Sequence, residues 1–152
     1  MTRRVDQAKA RAAFERAAAG TREAFGDFFL ARLLGLEISY PGEACEVAFE
    51  AADFLSNPQG TLHGGVLATA LDIAMGHLLH RHAGGPGTTL EMKVQYLVPV
   101  RGGRVVCRGE ALRRGGTWFL RAEARDAEGT LVAFATSTWR LLRKPAPNAT
   151  AQ

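Results

Sequence analysis

The sequence contains few cysteines and no long apolar run. Its 152 residues include two cysteines, Cys45 and Cys107, which lie in alternating apolar segments without CxxC or metal-type spacing. We therefore expect two small core thiols in a reducing compartment, and no disulfide framework. No stretch reaches the ~20 apolar residues that span a bilayer, and no apolar run of signal-peptide length occurs near the N-terminus. These absences predict a cytoplasmic protein that does not engage a membrane.

Two common catalytic signatures are also absent. There is no Gly-x-Ser-x-Gly elbow, which argues against a serine hydrolase. His77, His80 and His82 occur close together but without a His-Glu-x-x-His pattern, so a solvated helix end is favoured over a metal site. We expect neither a metal nor another cofactor.

The charge balance is basic, with 19 Lys and Arg against 15 Asp and Glu and a formal net charge of +4. This balance favours anionic partners. The arginines are scattered and no nucleic-acid-binding motif accompanies them, so no nucleic-acid partner is expected, and a small molecule that carries phosphate explains the balance equally well. Six basic residues could contact such phosphates, although the ordinary interpretation of each is a surface charge: Arg101, Arg113, Arg114, Arg140, Arg143 and Lys144.

Residue periodicity predicts an α+β fold. Helical spacing predicts a lead-in over residues 1–35, with helices at Val5–Ala19 and Thr21–Leu34, and a central apolar helix from near Gly64 to near Ala83. Alternating apolar and polar residues predict about six strands, at Leu36–Tyr40, Ala44–Phe49, Thr89–Tyr96, Arg104–Ala111, Trp118–Arg125 and Leu131–Leu142. Short glycine-containing connections favour an antiparallel meander that wraps around the central helix in a domain over residues 36–143. Residues 144–152 are predicted to form a disordered tail.

The segment Asn57–Asp72 combines features that chemistry can use. A turn-rich stretch leads into a helix that starts at Gly64 and Gly65 and carries Asp72 as its lone carboxylate. The first amides of a helix lack intrahelical partners and lie at the positive end of the helix dipole, so they can stabilise a negatively charged oxygen. An aspartate on an amphipathic helix is usually solvated, and a glycine pair is usually a turn. The residue types alone leave both interpretations open.

Five features of the chain together resemble the hotdog-fold acyl-CoA thioesterases, and within them the PaaI-like, phenylacetate-pathway branch. They are Asn57, the triplet His63-Gly64-Gly65, Asp72 nine residues after the histidine, the alternating strand Thr89–Tyr96, and Pro99. The resemblance covers residues 33–142 and implies a hotdog fold, in which an antiparallel sheet of about six strands wraps around a central helix.

The resemblance implies a catalytic role for four residues of the segment. Gly64 matches the glycine whose amide polarises the thioester carbonyl. Asp72 matches the carboxylate that acts as a general base on water or attacks directly. Asn57 matches the polar residue that holds the carbonyl or the water. His63 matches the histidine that opens the helix, where the dipole disfavours a proton acceptor and a structural or orienting role is expected.

The resemblance also points to residues near the substrate. Thr89 matches the hydroxyl residue that assists the attacking water, and Thr88 is the alternative one position earlier. Thr88 and Gly65 are expected to bind substrate. The activity implied is hydrolysis of an aromatic or medium-chain acyl-CoA to the free acid and CoA. Two alternatives stay open: a hotdog enoyl-CoA hydratase or dehydratase, which needs a histidine and an acid working as a pair, and a non-catalytic acyl-CoA sensor.

Helix geometry adds a prediction about assembly. Gly64 and Asp72 are eight residues apart, which is about 12 Å along a helix of ~1.5 Å rise per residue. One thioester does not easily reach both within one subunit. Two helices packed antiparallel about a two-fold axis would bring Asp72 of one chain near Gly64 of the other. We therefore predict an obligate homodimer with shared sites. A tetramer made of two dimers stays open, because the lead-in could cover a surface used for tetramer packing.

Overall fold

The N-terminal lead-in contains two helices. The computed structural model describes residues 4–142, so the predicted disordered tail at 144–152 lies outside the described residues. Helix α1 (Gln7–Ala19) is capped by Asp6, whose carboxylate accepts hydrogen bonds from the amides of Ala8 and Lys9. Helix α2 covers Phe29–Leu34 only.

Residues 21–28 are not helical and contain a turn at Ala24–Asp27 in place of the predicted helix. The backbones of Ala24 and Asp27 exchange hydrogen bonds of 2.9 and 3.0 Å. Between them Gly26 has a φ of 85°, a left-handed conformation that a right-handed helix does not contain. The predicted helix over Thr21–Leu34 is therefore wrong in its first eight residues.

A six-stranded antiparallel sheet follows the lead-in, as predicted. Its strands are β1 (Glu37–Ser39), β2 (Cys45–Glu50), β3 (Gly87–Tyr96), β4 (Arg104–Arg113), β5 (Thr117–Arg125) and β6 (Leu131–Leu141). Their order across the sheet is β1-β2-β4-β5-β6-β3. The predicted meander is correct for β4, β5 and β6 but wrong for β3, which pairs with β6. Residues 97–103 therefore carry the chain from the β3 edge to β4 instead of closing a hairpin.

The sheet wraps around the central helix α3 (Gly64–Ala83), which has the predicted bounds. One face of α3 is fully buried, as are the inward residues of the sheet; those without exposed surface include Leu71, Met75, Leu78, Phe49, Val105 and Leu120. The sheet backbone approaches the helix backbone closely at Gly109 of β4, where a Cβ would lie 3.0 Å from the carbonyl oxygen of Ala74. Within residues 4–142 no helix is long and apolar enough to cross a membrane.

Both cysteines lie in this core as free thiols, as predicted. Cys45 and Cys107 have no exposed surface. Burial raises the pKa of each thiol to about 12, so both are held as neutral, unreactive groups.

Candidate active site

The first turn of α3 leaves one amide free. The Nδ1 atom of His63 accepts a hydrogen bond from the amide of Gly65 at 2.9 Å. The carbonyl of His63 accepts from the amides of Val66 and Leu67 at 3.0 and 3.3 Å. Among residues 4–142, the amide of Gly64 has no acceptor. His63 thus caps the helix, and Gly64 presents the one unpaired donor of this turn.

Tyr96 lies directly over Gly64. Its hydroxyl donates a hydrogen bond to the carbonyl of Gly64 at 2.8 Å. A Cβ at Gly64 would come within 3.1 Å of the tyrosine ring, so a glycine allows this close approach. A cavity of about 340 Å³ opens beside the pair, and we call it the amide cavity; its lining is Asn57, Thr61, Leu62, Gly64, Leu67 and residues 96–100.

Asn57 lies in the amide cavity, but most of its side chain serves the local turn. Its Oδ1 accepts from the amides of Gln59 and Thr61 at 3.0 and 3.2 Å. Its Nδ2 donates to the Thr61 hydroxyl at 2.8 Å. A side-chain amide has two N–H donors, so one remains to reach a ligand. Asn57 therefore shapes the loop that leads into α3 and has one donor left for substrate or water.

Asp72 and Thr89 are brought together, although 17 positions separate them in the sequence. The Thr89 hydroxyl donates to Asp72 Oδ1 at 2.9 Å. Asp72 is half-buried, and this burial raises the pKa of its carboxyl group, while the hydrogen bond from Thr89 opposes part of the rise. The pair is thus a carboxylate with a raised proton affinity, held by a hydroxyl group.

A β-bulge determines which threonine reaches Asp72. The pairing of β3 with β6 shifts register between Thr89 and Glu91, so Leu90 occupies the bulge and is half-exposed. Thr89 points toward α3 and Thr88 lies on the exposed side of the strand. The simple alternation of the sequence grouped Leu90 with Met92 and did not contain this shift. The geometry favours Thr89 over Thr88 as the partner of the carboxylate.

A second cavity of about 290 Å³ contains Asp72, and we call it the acid cavity. Its walls are Phe25, Phe28, Ile73, Gly76, His77, Trp139 and residues 87–89. Sequence reasoning missed the two phenylalanines, because a helical assignment for residues 21–28 gave no reason to place them near Asp72. Gly76 makes room for the Trp139 ring, since a Cβ there would lie 2.9 Å from the ring.

His77 is buried in the wall of the acid cavity, which corrects its assignment to a solvated helix end. Its Nδ1 lies 2.8 Å from the Tyr40 hydroxyl. Burial, and to a smaller extent His80, lowers the pKa of His77 to about 4, so its ring is neutral at physiological pH. The ring of Phe25 and the backbone of Gly26 cover it.

The predicted site residues therefore separate into two groups. Gly64 and Asn57 share the amide cavity, whereas Asp72, Thr88 and Thr89 share the acid cavity. The amide of Gly65 donates to His63, and a Cβ at Gly65 would lie 3.1 Å from His63 Nδ1. The close contact with the capping histidine therefore explains the glycine at this position. One chain contains both the amide donor of Gly64 and the carboxylate of Asp72, but in different cavities.

No Lys or Arg in the part of the chain from 4 to 142 lines either cavity. Arg114, one of the predicted phosphate contacts, forms an ion pair with Glu43 at 2.8 Å. Arg143 and Lys144 lie outside the described residues. No group of three or more His, Cys, Asp or Glu side chains in residues 4–142 is arranged to hold a metal ion.

Comparisons with known proteins identify the family. The sequence model of the thioesterase superfamily matches residues 59–133, which contain Gly64, Gly65 and Asp72. The medium/long-chain acyl-CoA thioesterase YigI of Escherichia coli is 32% identical over 127 residues, and the match covers 71% of this chain and 82% of that protein. A shorter match, 36% identical over 86 residues, spans 61% of a relative from Saccharolobus solfataricus.

Solved structures agree with the sequence matches. A phenylacetic acid degradation-related protein from Ralstonia eutropha superposes with a TM-score of 0.70 at 27% identity, covering 85% of this chain and 99% of that one. A protein from Bacillus halodurans, solved with CoA, has the same fold with a TM-score of 0.77 at 22% identity, covering 91% and 92% of the two chains. The chain therefore belongs to the thioesterase superfamily and is a thioester hydrolase with the hotdog fold.

Proposed function

We propose that the protein hydrolyses aromatic or medium-chain acyl-CoA thioesters to the free acid and CoA. The observation that carries this proposal is the half-buried Asp72–Thr89 pair in a cavity whose other walls are mainly apolar and aromatic. Acyl-CoA as the substrate class is supported by the names of the relatives and by the CoA bound to a structural neighbour.

In the proposed mechanism Asp72 activates water. The carboxylate takes a proton from a water molecule as its oxygen bonds to the thioester carbonyl carbon. The carbon–sulfur bond of the resulting tetrahedral species then breaks, and Asp72 gives the proton that it took from water to the CoA thiolate, which restores the carboxylate. Burial raises the proton affinity of Asp72 toward the range of an effective base. The Thr89 hydroxyl donates its hydrogen bond to Asp72 Oδ1, which leaves Oδ2 to accept the proton of the water molecule.

The amide of Gly64 is the proposed donor to the carbonyl oxygen. Negative charge develops on this oxygen in the transition state, and a preorganised amide at a helix start stabilises it. Gly64 has the only amide of its turn without an acceptor among residues 4–142. Asn57, with one remaining N–H, is the second candidate donor in the same cavity.

A two-fold dimer would unite the two cavities. Within residues 4–142, β3 is an edge strand that pairs only with β6. Four apolar or aromatic side chains are exposed here: Leu90 and Tyr96 in β3, and Leu97 and Val98 just after it. An exposed apolar edge favours pairing with a second copy. In an antiparallel β3–β3 pair centred between Met92 and Lys93, Thr89 of one chain lies opposite Tyr96 of the other. Each Asp72–Thr89 pair would then lie beside the partner copy's amide cavity.

Two substitutions at Gly64 distinguish the loss of the amide N–H from the effect of an added side chain. Proline lacks the N–H, and the first position of a helix accepts it; His63 already has the extended conformation that precedes proline. Alanine adds a Cβ against Tyr96 as proline does, but keeps the N–H. We expect kcat of Gly64→Pro to be about 10²–10³-fold below that of Gly64→Ala. Equal kcat values for the two variants would exclude this amide as the oxyanion donor.

The hydratase alternative requires a histidine that can exchange protons beside the acid. His77 is the histidine of the acid cavity, but its Nδ1 is bound to Tyr40 and its ring is covered by Phe25 and Gly26. The observations favour hydrolysis over hydration.

The proposed function is tested by measuring thiol release from a panel of aromatic and straight-chain acyl-CoAs, with hydration of an enoyl-CoA measured in parallel. Thiol release from aromatic or medium-chain substrates is the expected result. Hydration without thiol release would establish the hydratase alternative. Tight binding of acyl-CoA with neither reaction would favour a sensor.

A further inference from the structure

We propose that the turn Ala24–Asp27, held in place by Arg32, is the end wall of the acyl-binding cavity and limits the length of the acyl group. This inference rests on the proposed acyl-CoA thioesterase function, because it assigns the acyl group to the acid cavity. It gives a specificity role to Phe25 and Phe28, which precede the sequence segment that carries the chemistry.

The composition of the acid cavity fits an acyl group. Apart from Asp72, the two threonines and the neutral His77, its walls are the side chains of Phe25, Phe28, Ile73 and Trp139 together with two glycines. No Lys or Arg of residues 4–142 lines it, whereas CoA phosphates are bound through cationic and N–H donors. An apolar group attached to a carbonyl beside Asp72 therefore belongs in this cavity, and the nucleotide lies outside it.

The turn lines the end of the cavity toward His77 and His80, while the outer face of the Phe25 ring stays exposed. The ring of Phe25 stacks on His80 with centroids 4.0 Å apart and lies 4.2 Å from His77. Those histidines are five and eight residues after Asp72, which is about 7.5 and 12 Å further along the helix. A Cβ at Gly26 would lie 3.0 Å from His77 Cε1, so the backbone of the turn packs closely against His77 of α3. An acyl chain that follows α3 from Asp72 meets this wall.

Arg32 is the positioning residue of the turn. Its Nη1 donates to Asp27 Oδ1 and its Nη2 to Glu23 Oε1, both at 2.9 Å. Its Nε donates to the carbonyl of Ala17 at 3.1 Å. The Arg32 side chain as a whole is 16% exposed, and its guanidinium group joins both sides of the turn to α1. A Cβ at Gly20 would overlap this guanidinium group, which explains the glycine at that position.

The test is a chain-length profile. We would measure kcat/KM for straight-chain CoA thioesters from butanoyl to hexadecanoyl, with wild-type protein, Phe25→Ala, Arg32→Lys and the control Phe14→Ala. Phe14 is an exposed aromatic residue of α1 that contacts Phe29 and not the acid cavity. The ratio of long-chain to short-chain kcat/KM should rise at least about tenfold in Phe25→Ala, the scale of a methylene group or two in a fitted cavity.

Arg32→Lys keeps the charge but loses the planar fork, so it should move the ratio in the same direction, and Phe14→Ala should leave it unchanged. If Phe25→Ala does not fold, Phe25→Leu takes its place, with the same direction expected. If the enzyme is active and the ratio of long-chain to short-chain kcat/KM is unchanged in the Phe25 and Arg32 variants, the turn does not limit the length of the acyl group. A wild-type protein that releases no thiol from any acyl-CoA would overturn the proposed function itself.

Discussion

Replacing Asp72 with asparagine is expected to lower kcat for thioester hydrolysis by about 10²–10⁴-fold, the usual contribution of a general base. Asparagine has the shape of aspartate and keeps an oxygen for the hydrogen bond from Thr89, but its amide cannot take a proton from water. Thiol release at saturating acyl-CoA measures the effect. The acidic limb of the wild-type pH–rate profile should lie above the ordinary pKa of an aspartate, because burial raises the pKa of Asp72.

The same substitution should not destabilise the fold. A carboxyl group whose pKa is raised by folding binds protons more readily in the native state, so its ionised form lowers stability at pH values above that pKa. The Asp72→Asn protein should therefore have a Tm at pH 7 equal to or above that of the wild type. Glu123→Gln is the matched control: it loses a surface ion pair with Arg125 and should keep full activity. Full activity of Asp72→Asn would rule out the general-base role.

The helix that carries the site could be predicted from the sequence. Its apolar spacing runs without interruption from Gly64 to Ala83, and it is bounded by a capping histidine and by Gly84, which has a φ of 67°. The proximity of Thr89 and Asp72 could also be anticipated from the family resemblance. The availability of the Gly64 amide could not, because it depends on His63 turning its Nδ1 toward the next amide.

The parts that the sequence did not predict depend on contacts between distant residues. Apart from Gly26, residues 21–28 have helix-compatible types, but the stacking of Phe25 on His80 and the hydrogen bonds of Arg32 favour a turn. The position of β3 is decided by its pairing with β6, about 45 residues later in the chain, and local alternation does not contain that information. Both errors affect the acid cavity, because the turn forms one wall and β3 supplies Thr89.

A mixed dimer of two inactive chains is expected to regain activity. One chain carries Asp72→Asn and the other carries Gly64→Pro, each with its own affinity tag so that the mixed dimer can be purified through both tags. If each site takes its amide from one chain and its acid from the other, one site of the mixed dimer contains both substitutions and the other contains neither. The mixed dimer should then show about half the wild-type kcat per dimer, whereas both homodimers stay nearly inactive.

The mixed dimer can distinguish shared from unshared sites because Gly64 and Asp72 lie in different cavities of one chain. If a single chain supplied both groups to one thioester, every site of the mixed dimer would contain one defect, and its activity would stay at the level of the homodimers. A dimer of two Asp72→Asn chains carrying the two tags controls for purification and should not recover. An enzyme that remains fully active as a monomer would contradict shared sites by itself, because Gly64 and Asp72 are about 12 Å apart along one helix.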